Sequence, residues 1–436
     1  MRWPVSLAIV FLSVSVSAAS PVTRVWELAT DFEGGSAYSI FTQTLTGGLA
    51  RLLPDYRYDY SADPLATAPW FWTKSTPPIR KTFSSAALPG ITVVTEPALA
   101  SSGNYIFLVG GCVGSGAAAV TSAKVWFCEV DSSGNMQDWQ KATWEFGQTQ
   151  NDPEGIPVIS TRAVAINNRI YVAGGSTQNC GIAAFVNQEQ ATSAVYSAPI
   201  VLDPATKKVL NVGPWVKEPS LLRTVASHGF VYAAGALFTI GGRENKKTPV
   251  QPIIGEWAPH QWVQKAEIKP DGHLSNWMVV MQVPIGVPPY AGGVATYCEC
   301  QPVSWCIGTD LACCRNGNLG LGWEQVGSFS VGRTIGFIGG TFTKPPILSS
   351  TCRYFIHGYY AYLDDNNNIS EWVGLTADKG RGRPGVSPQV YNGSFISVGG
   401  ETAGAVPDVI HNPTGGEFGI ERDASYGYDA TEFRLN

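Results

Sequence analysis

Charge is scarce in this chain: only 14% of its 436 residues are Asp, Glu, Lys or Arg, where about 25% is usual. The net charge is −5, becoming −6 if Arg2 is lost with a leader, and no basic stripe exists, which argues against nucleic acid or an anionic membrane surface as partner. Histidine is scarcer still. The five, His228, His260, His273, His357 and His411, form no H-x-H or H-E-x-x-H pair, so a histidine-rich metal site has no support. A G-x-S-x-G nucleophile motif is missing as well. Beyond the first residues there is no apolar run of about 18, so no membrane span is expected, and ERDASYGYDATEFRLN offers no hydrophobic tail for a lipid anchor.

Turn residues, by contrast, are plentiful, with 48 Gly and 29 Pro. Five short β-branched or aromatic runs end in a glycine pair: YIFLV at Gly110-Gly111, RIYVA at Gly174-Gly175, ALFTI at Gly241-Gly242, IGFI at Gly339-Gly340 and SFISV at Gly399-Gly400. Four of the pairs are followed by a strand-like run and then Trp139, Trp215, Trp277 or Trp372. The pairs lie 64, 67, 98 and 60 residues apart, too far for a helical solenoid and suited to a four-stranded blade with generous loops. Runs such as IYVA lack polar alternation, so both their faces want burial, as an inner blade strand has between neighbours. The glycines suit a crowded rim needing positive φ, and each following tryptophan supplies bulk between blades.

These residues resemble the kelch-type β-propellers, especially secreted forms. The likeness rests on NNRIYVAGG with AVYSAPIVLDPATKKVLNVGPW, GALFTIGG with KAEIKPDGHLSNW, GNYIFLVGG with KVWFCEVDSSGNMQDW, and GFIGG with YFIHGYYAYLDDNNNISEW. It implies an all-β, six-bladed kelch-like propeller and is nearly silent on function, since such propellers host enzymes, adaptors and adhesins. After Gly399-Gly400 the chain has no further tryptophan strand. VTRVWEL (22–28), carrying Trp26, is expected to pair with the last C-terminal strand and close the ring, and residues 29–70 to supply a degenerate unit. Residues 1–19 read as a signal peptide and 20–436 as one propeller domain, so the protein is expected to be secreted and extracellular.

Nine cysteines in an oxidising compartment imply disulfides and one odd thiol, through which two copies could join as a homo-oligomer. Cys298, Cys300, Cys306, Cys313 and Cys314 crowd into an insertion at about 298–316, expected in an inner-strand turn between YAGGVATY and GRTIGFIGG and bonded mostly within itself. Zinc is the sharper alternative, but the spacing departs from paired C-x₂-C ligands. DDNNNISE (364–371) has alternating oxygen ligands yet lacks the EF-hand glycine and distal glutamate, and reads as a solvated hairpin turn. Asn368 and Asn392 head N-glycosylation sequons.

Strand alternation places the first and third turns of each blade on one face, and the second turns and blade-to-blade links on the other. The long second loops, 112–122, 176–192, 243–261 and 401–425, therefore crown one face, where binding is expected. Arg162, Arg223 and Arg383 are read as beginning the strand ahead of a glycine pair, giving a basic ring at the channel mouth for an acidic group. No copper set like that of galactose-oxidase-like enzymes can be placed, PDGHLSNW and DSSGNMQDW depart from the sialidase Asp-box, and no cofactor is implied. The expected function is non-catalytic recognition of an extracellular protein or glycan through the long-loop face. A secreted carbohydrate-active enzyme, galactose-oxidase-like or glycosidase-like, and a subunit of an extracellular filament or coat are the alternatives.

Overall fold

The structure is a computed structural model that describes residues 97–113, 119–131, 137–177, 180, 191–242, 262–283, 326–337, 359–369 and 371–373 with side chains, and further strand residues by backbone alone. Among the described residues every regular element is a β-strand. Four antiparallel sheets follow one another along the chain as blades of a β-propeller-like arrangement. Blade A runs Ala98–Ser102, Tyr105–Val109, Val125–Glu129, Gln140–Lys141. Blade B runs Arg162–Ile166, Arg169–Ala173, Val195–Leu202, Val209–Val212, with Val216–Lys217 also pairing its third strand. Blade C comprises Gly229–Ala233, Ala236–Ile240, Trp262–Glu267 and Met278–Gln282. Blade D comprises Gly327–Val331, Thr334–Ile338, Gly358–Tyr362 and Val373–Gly374.

The second strand of each blade is the apolar run before a glycine pair, and YIFLV and ALFTI are buried at every position. Two-residue hairpins join first to second strands. Asn167 and Asn168 sit at φ 50° and 56°, Ala234 and Gly235 at 48° and 86°, the left-handed pair that matches the twist of a tight hairpin.

The core lies between blades. Phe107, Phe127, Phe146, Tyr196 and Trp215 fill the gap between A and B, where Phe146 meets Trp215 edge-on at 5.0 Å. Tyr171, Leu221, Phe230, Leu237 and Trp277 fill that between B and C; Phe238, Phe337 and Tyr359, with half-buried Trp372 against them, fill that between C and D. Each large buried side chain stabilises by about 1.5–3 kcal/mol. The glycine pairs have a defined task here. The Gly111 amide donates to the Val158 carbonyl at 2.8 Å and the Gly175 amide to the Val225 carbonyl at 2.7 Å, so the end of one blade's second strand bonds to the segment leading into the next blade. Gly174, at φ +61°, would drive a Cβ into that same Val225 carbonyl, so only glycine fits.

Four blades are thus described in full, where the spacing predicts six. The two further units that the spacing predicts would fall on residues given as strand backbone only. Those backbones form a three-stranded sheet of Ile40–Gln43, Leu49–Leu52 and Tyr58–Ser61, and a four-stranded sheet in which Glu27–Leu28 pairs Asp429–Glu432, beside Ser394–Val398 and Ser387–Tyr391. Glu27 lies opposite Ala430 and Leu28 opposite Asp429. The signal-peptide segment, Trp26 and the five insert cysteines lie outside the described residues.

One expectation is overturned. Gly327–Val331 pairs with Thr334–Ile338 through the short Gly332-Arg333 turn, so GSFSV, not YAGGVATY, is the innermost strand of blade D. The cysteine-rich insertion cannot occupy that turn. It falls between Met278–Gln282 and Gly327–Val331, in a blade-to-blade link whose two ends open on the face of the long second loops.

Candidate functional site

The long-loop face is built from strands of its own. In the second loop of blade A, Cys112–Val113 pairs Val120–Thr121 and also Val94–Thr95. In that of blade C, Arg243–Asn245 pairs Trp257–Pro259. The loop of blade B is pinned at its base by Ser176, which bridges Ile159 on one side and Ala191 on the other. Cys112 and Cys180 are disulfide-bonded, joining the second loops of blades A and B across the boundary between them. Around the bond Ala119 and Ile159 are buried, and the Cys180 amide donates to Thr121 Oγ1 at 3.1 Å. Cys128, the other described cysteine, is buried in blade A and its thiol is pushed well up by that burial, which makes it a poor crosslinking group.

Of the three arginines expected at the channel mouth, Arg162 and Arg223 lie among the described residues. Arg162 does begin the first strand of blade B, half-buried, with Nη1 donating to the Thr161 carbonyl at 3.0 Å. Arg223 is exposed and stands ahead of the first strand of blade C, which begins at Gly229; its amide is held by Gln264 Oε1 at 3.2 Å. Arg383 lies outside the described residues, ahead of Ser387–Tyr391. The positions matching Arg162 against their partner strands are Ala98, Gly229, Gly327 and Ser387, so a single arginine stands at that register. Two residues ahead of that register, blades B and C share a serine. Ser160 and Ser227, both buried at φ 52° and 51°, link blades B and C through Ser227 N–H to the Ser160 carbonyl, 2.8 Å.

On the opposite face the third turns share one design, an aspartate capping its own backbone. Asp203 accepts from Ala205 and Thr206, Asp271 from His273, and Asp364 from Asn366 and Asn368. These hydrogen bonds hold all three carboxyls below their ordinary range. The DDNNN turn is already served by protein cations. Buried Lys265 of blade C donates Nζ to the Asn366 carbonyl at 2.7 Å and to Asn368 Oδ1 at 3.4 Å, while Arg333 donates to the Leu363 and Asp364 carbonyls. Asn368, expected to carry a glycan, is half-buried with both ends of its amide engaged, its Nδ2 donating to Asp364 Oδ2 at 3.3 Å. Asn392 lies outside the described residues. Among the described residues no group of three His, Cys, Asp or Glu is placed to hold a metal.

Between blades B and C this face holds a polar chain that sequence reasoning missed. Glu218, 2% exposed, accepts from Ser197 Oγ at 2.6 Å and from the Leu274 amide at 2.9 Å, and its Oε1 lies 2.9 Å from His273 Nδ1. Ser197 Oγ accepts in turn from Arg169 Nη1 at 2.9 Å. Tyr171 donates its hydroxyl to the Gly272 carbonyl at 2.7 Å; burial pushes that phenol up to about 12, with Arg169 opposing. Here the carboxylate lies between serine and histidine, so His273 has no contact with Ser197 through which to take its proton, and the group is not arranged as a nucleophile with its base.

No family model matches the chain, and no curated protein matches it. Solved structures do match. The chain is similar to the structure of YjhT, a propeller-type fold, with a TM-score of 0.51 over 87% of this chain and 93% of that one. At 13% identity that likeness bears on fold alone.

Proposed function

We propose that this protein is a secreted, six-bladed kelch-like propeller that recognises an extracellular protein or glycan, without catalysis, through its long-loop face. The observation that carries the reading is the Cys112–Cys180 bond between the second loops of neighbouring blades. A disulfide closing a stretch of 68 residues restrains loops that would otherwise be costly to order on binding, and it needs an oxidising compartment. The β-pairing inside the second loops of blades A and C acts the same way. The described ends of the link between blades C and D, at Val283 and Val326, also lie on this face. The count of six is supported by the backbone neighbours of the innermost strands. Ile40–Gln43 lies beside Ala98–Ser102, and Arg162–Ile166, Gly229–Ala233, Gly327–Val331 and Ser387–Tyr391 follow in order back to Ile40–Gln43.

A glycan array and an extracellular-protein panel probed with the secreted chain test the proposal. Ligands found there are expected to be lost when loops 176–192 and 243–261 are shortened, with the melting temperature kept, and to survive the turn-face change Lys269→Gln. Binding that persists after both loops are trimmed, and after the 298–316 link is replaced, would overturn the face assignment.

A further inference from the structure

On the first-turn face, a groove of about 520 Å³ opens between blades B and C, away from the long loops. Its walls are the Asn167-Asn168-Arg169 hairpin and Pro199 of blade B, and Tyr232 with the Ile268–Gly272 turn of blade C. We propose that this groove binds a small aromatic acid, a carboxylate carried on a flat apolar body.

Arg169 is the anchor. Its Nη1 is committed to Ser197 Oγ, and that hydroxyl is held by buried Glu218, which His273 and the Leu274 amide hold in turn. The chain of hydrogen bonds crosses from blade B to blade C and fixes the guanidinium in place without neutralising it directly. Among the described residues no carboxylate forms an ion pair with Arg169. A planar guanidinium with donors to spare matches a carboxylate fork to fork. Gly272 leaves that approach open, since a Cβ there would sit 3.0 Å from Arg169 Nε. Exposed Lys269 adds a second positive charge to the rim. The one acid in the wall, Asp271, is kept ionised by the His273 amide, and against it stand Arg169 and Lys269, so the lining carries two positive charges to one negative. Between the charges the walls are Tyr232, Pro199, Ile268 and Pro270, which suit a ring and not a chain of hydroxyls.

Calorimetry with benzoate, and with benzamide as its neutral counterpart, tests the site on the full secreted chain. Benzoate is expected to bind about 10-fold or more tightly than benzamide, the ratio for losing one charge-assisted contact. Lys269→Gln, an exposed change outside the hydrogen-bond chain, should weaken benzoate by roughly 3-fold with the ligand-free melting temperature unchanged. Arg169→Gln should weaken it by about 30-fold or more, and Arg169→Lys should recover part of that loss. Benzoate binding absent at about 10 mM, benzamide binding equally well, or indifference to both Lys269→Gln and Arg169→Gln would each overturn the proposal. Should Arg169→Gln fail to fold, the benzoate-to-benzamide ratio and Lys269→Gln decide it. Shortening the long loops should leave benzoate affinity unchanged, which separates failure here from failure of the long-loop reading.

Discussion

The boundary between blades B and C and the boundary between C and D answer the same structural need with charges of opposite sign. In each, a third-strand residue is linked to the third turn of the next blade, Ser197 through Glu218 and Lys265 directly; Ser197, opposite Tyr171, and Lys265, opposite Phe238, hold the same register, their partners lying three places ahead of a glycine pair. At B/C the buried charge is Glu218, which receives three polar contacts drawn from both blades. At C/D it is Lys265, 3% exposed, which gives to two oxygens of the DDNNN turn. The lesson is that these two boundaries both place a hydrogen-bonded link at this register without sharing a residue type or a sign of charge. The two solutions should also fail differently, because buried donors and an anion's full set of partners are costlier to abandon than two carbonyl-type oxygens.

Glu218→Ala should therefore have the largest effect. It strands the Ser197 hydroxyl, the Leu274 amide and His273 at once, and the expected loss is about 3–5 kcal/mol, read from the shift in urea midpoint. A loss under about 1 kcal/mol would mean that water replaces the carboxylate and that the two boundaries are alike after all.

Alkaline pH should separate them next. Tyr171 at B/C titrates at about 12 when folded, against about 10 unfolded, whereas its counterpart at C/D is Phe238, which does not titrate. The raised pKa favours the protonated fold, so its contribution is complete below pH 10 and is lost as pH climbs from about 10 to about 12. Across that window the protein should lose up to about 2–3 kcal/mol of stability, and Tyr171→Phe should flatten the curve. A wild-type profile unchanged by Tyr171→Phe would show that alkali acts elsewhere.

How much of this was legible in the sequence follows from the range of each interaction. The inner strands could be read because YIFLV and ALFTI bury both faces, and the tryptophans because Trp139, Trp215 and Trp277 each fill the same slot, 4%, 1% and 4% exposed. The glycine pairs were visible too, though their bonding to Val158 and Val225 was not. Glu218, His273 and Lys265 stayed hidden, since their pairings cross a blade boundary at separations of 55 to 103 residues, and Ser197 with them, since its hydroxyl serves to hold Glu218. Arg223 was misread because it precedes an apolar run that begins as VASHGF, where the chain becomes a strand only at Gly229. YAGGVATY misled by composition: the strand actually used, GSFSV, is closed by a local two-residue turn, which costs far less loop entropy than a long insertion between partners.

Lys265→Met sharpens the comparison on its other side. The substitution keeps most of the apolar stem and removes the ammonium, leaving the Asn366 carbonyl and Asn368 Oδ1 without their cation in a turn that is mostly solvent-exposed. Because water reaches those oxygens, the expected cost is about 1–2 kcal/mol, clearly below that of Glu218→Ala. A Lys265→Met protein less stable than Glu218→Ala would invert the ranking and make the cation the stronger clasp.

The smallest effect is expected at the boundary between blades A and B, where the register position is Phe127 and the link has moved to the surface. There Lys208 Nζ meets Glu129 Oε2 at 3.1 Å, with the lysine side chain 62% exposed. The pair raises the lysine's proton affinity through its hydrogen bond to Glu129, but the ammonium faces water and the half-buried carboxylate keeps Asn104 Nδ2 as a second partner, so the attraction is screened at ordinary salt. The apolar cluster of Phe107, Phe127, Phe146 and Trp215 holds this boundary without help from charge. Lys208→Ala should therefore leave the melting temperature unchanged within error, and added salt should not alter the difference between the two proteins. A drop matching that of Lys265→Met would break the comparison. It would show that a link from third strand to next turn is required at every boundary, exposed or buried, and that burial of the charge is incidental to what holds the blades in line.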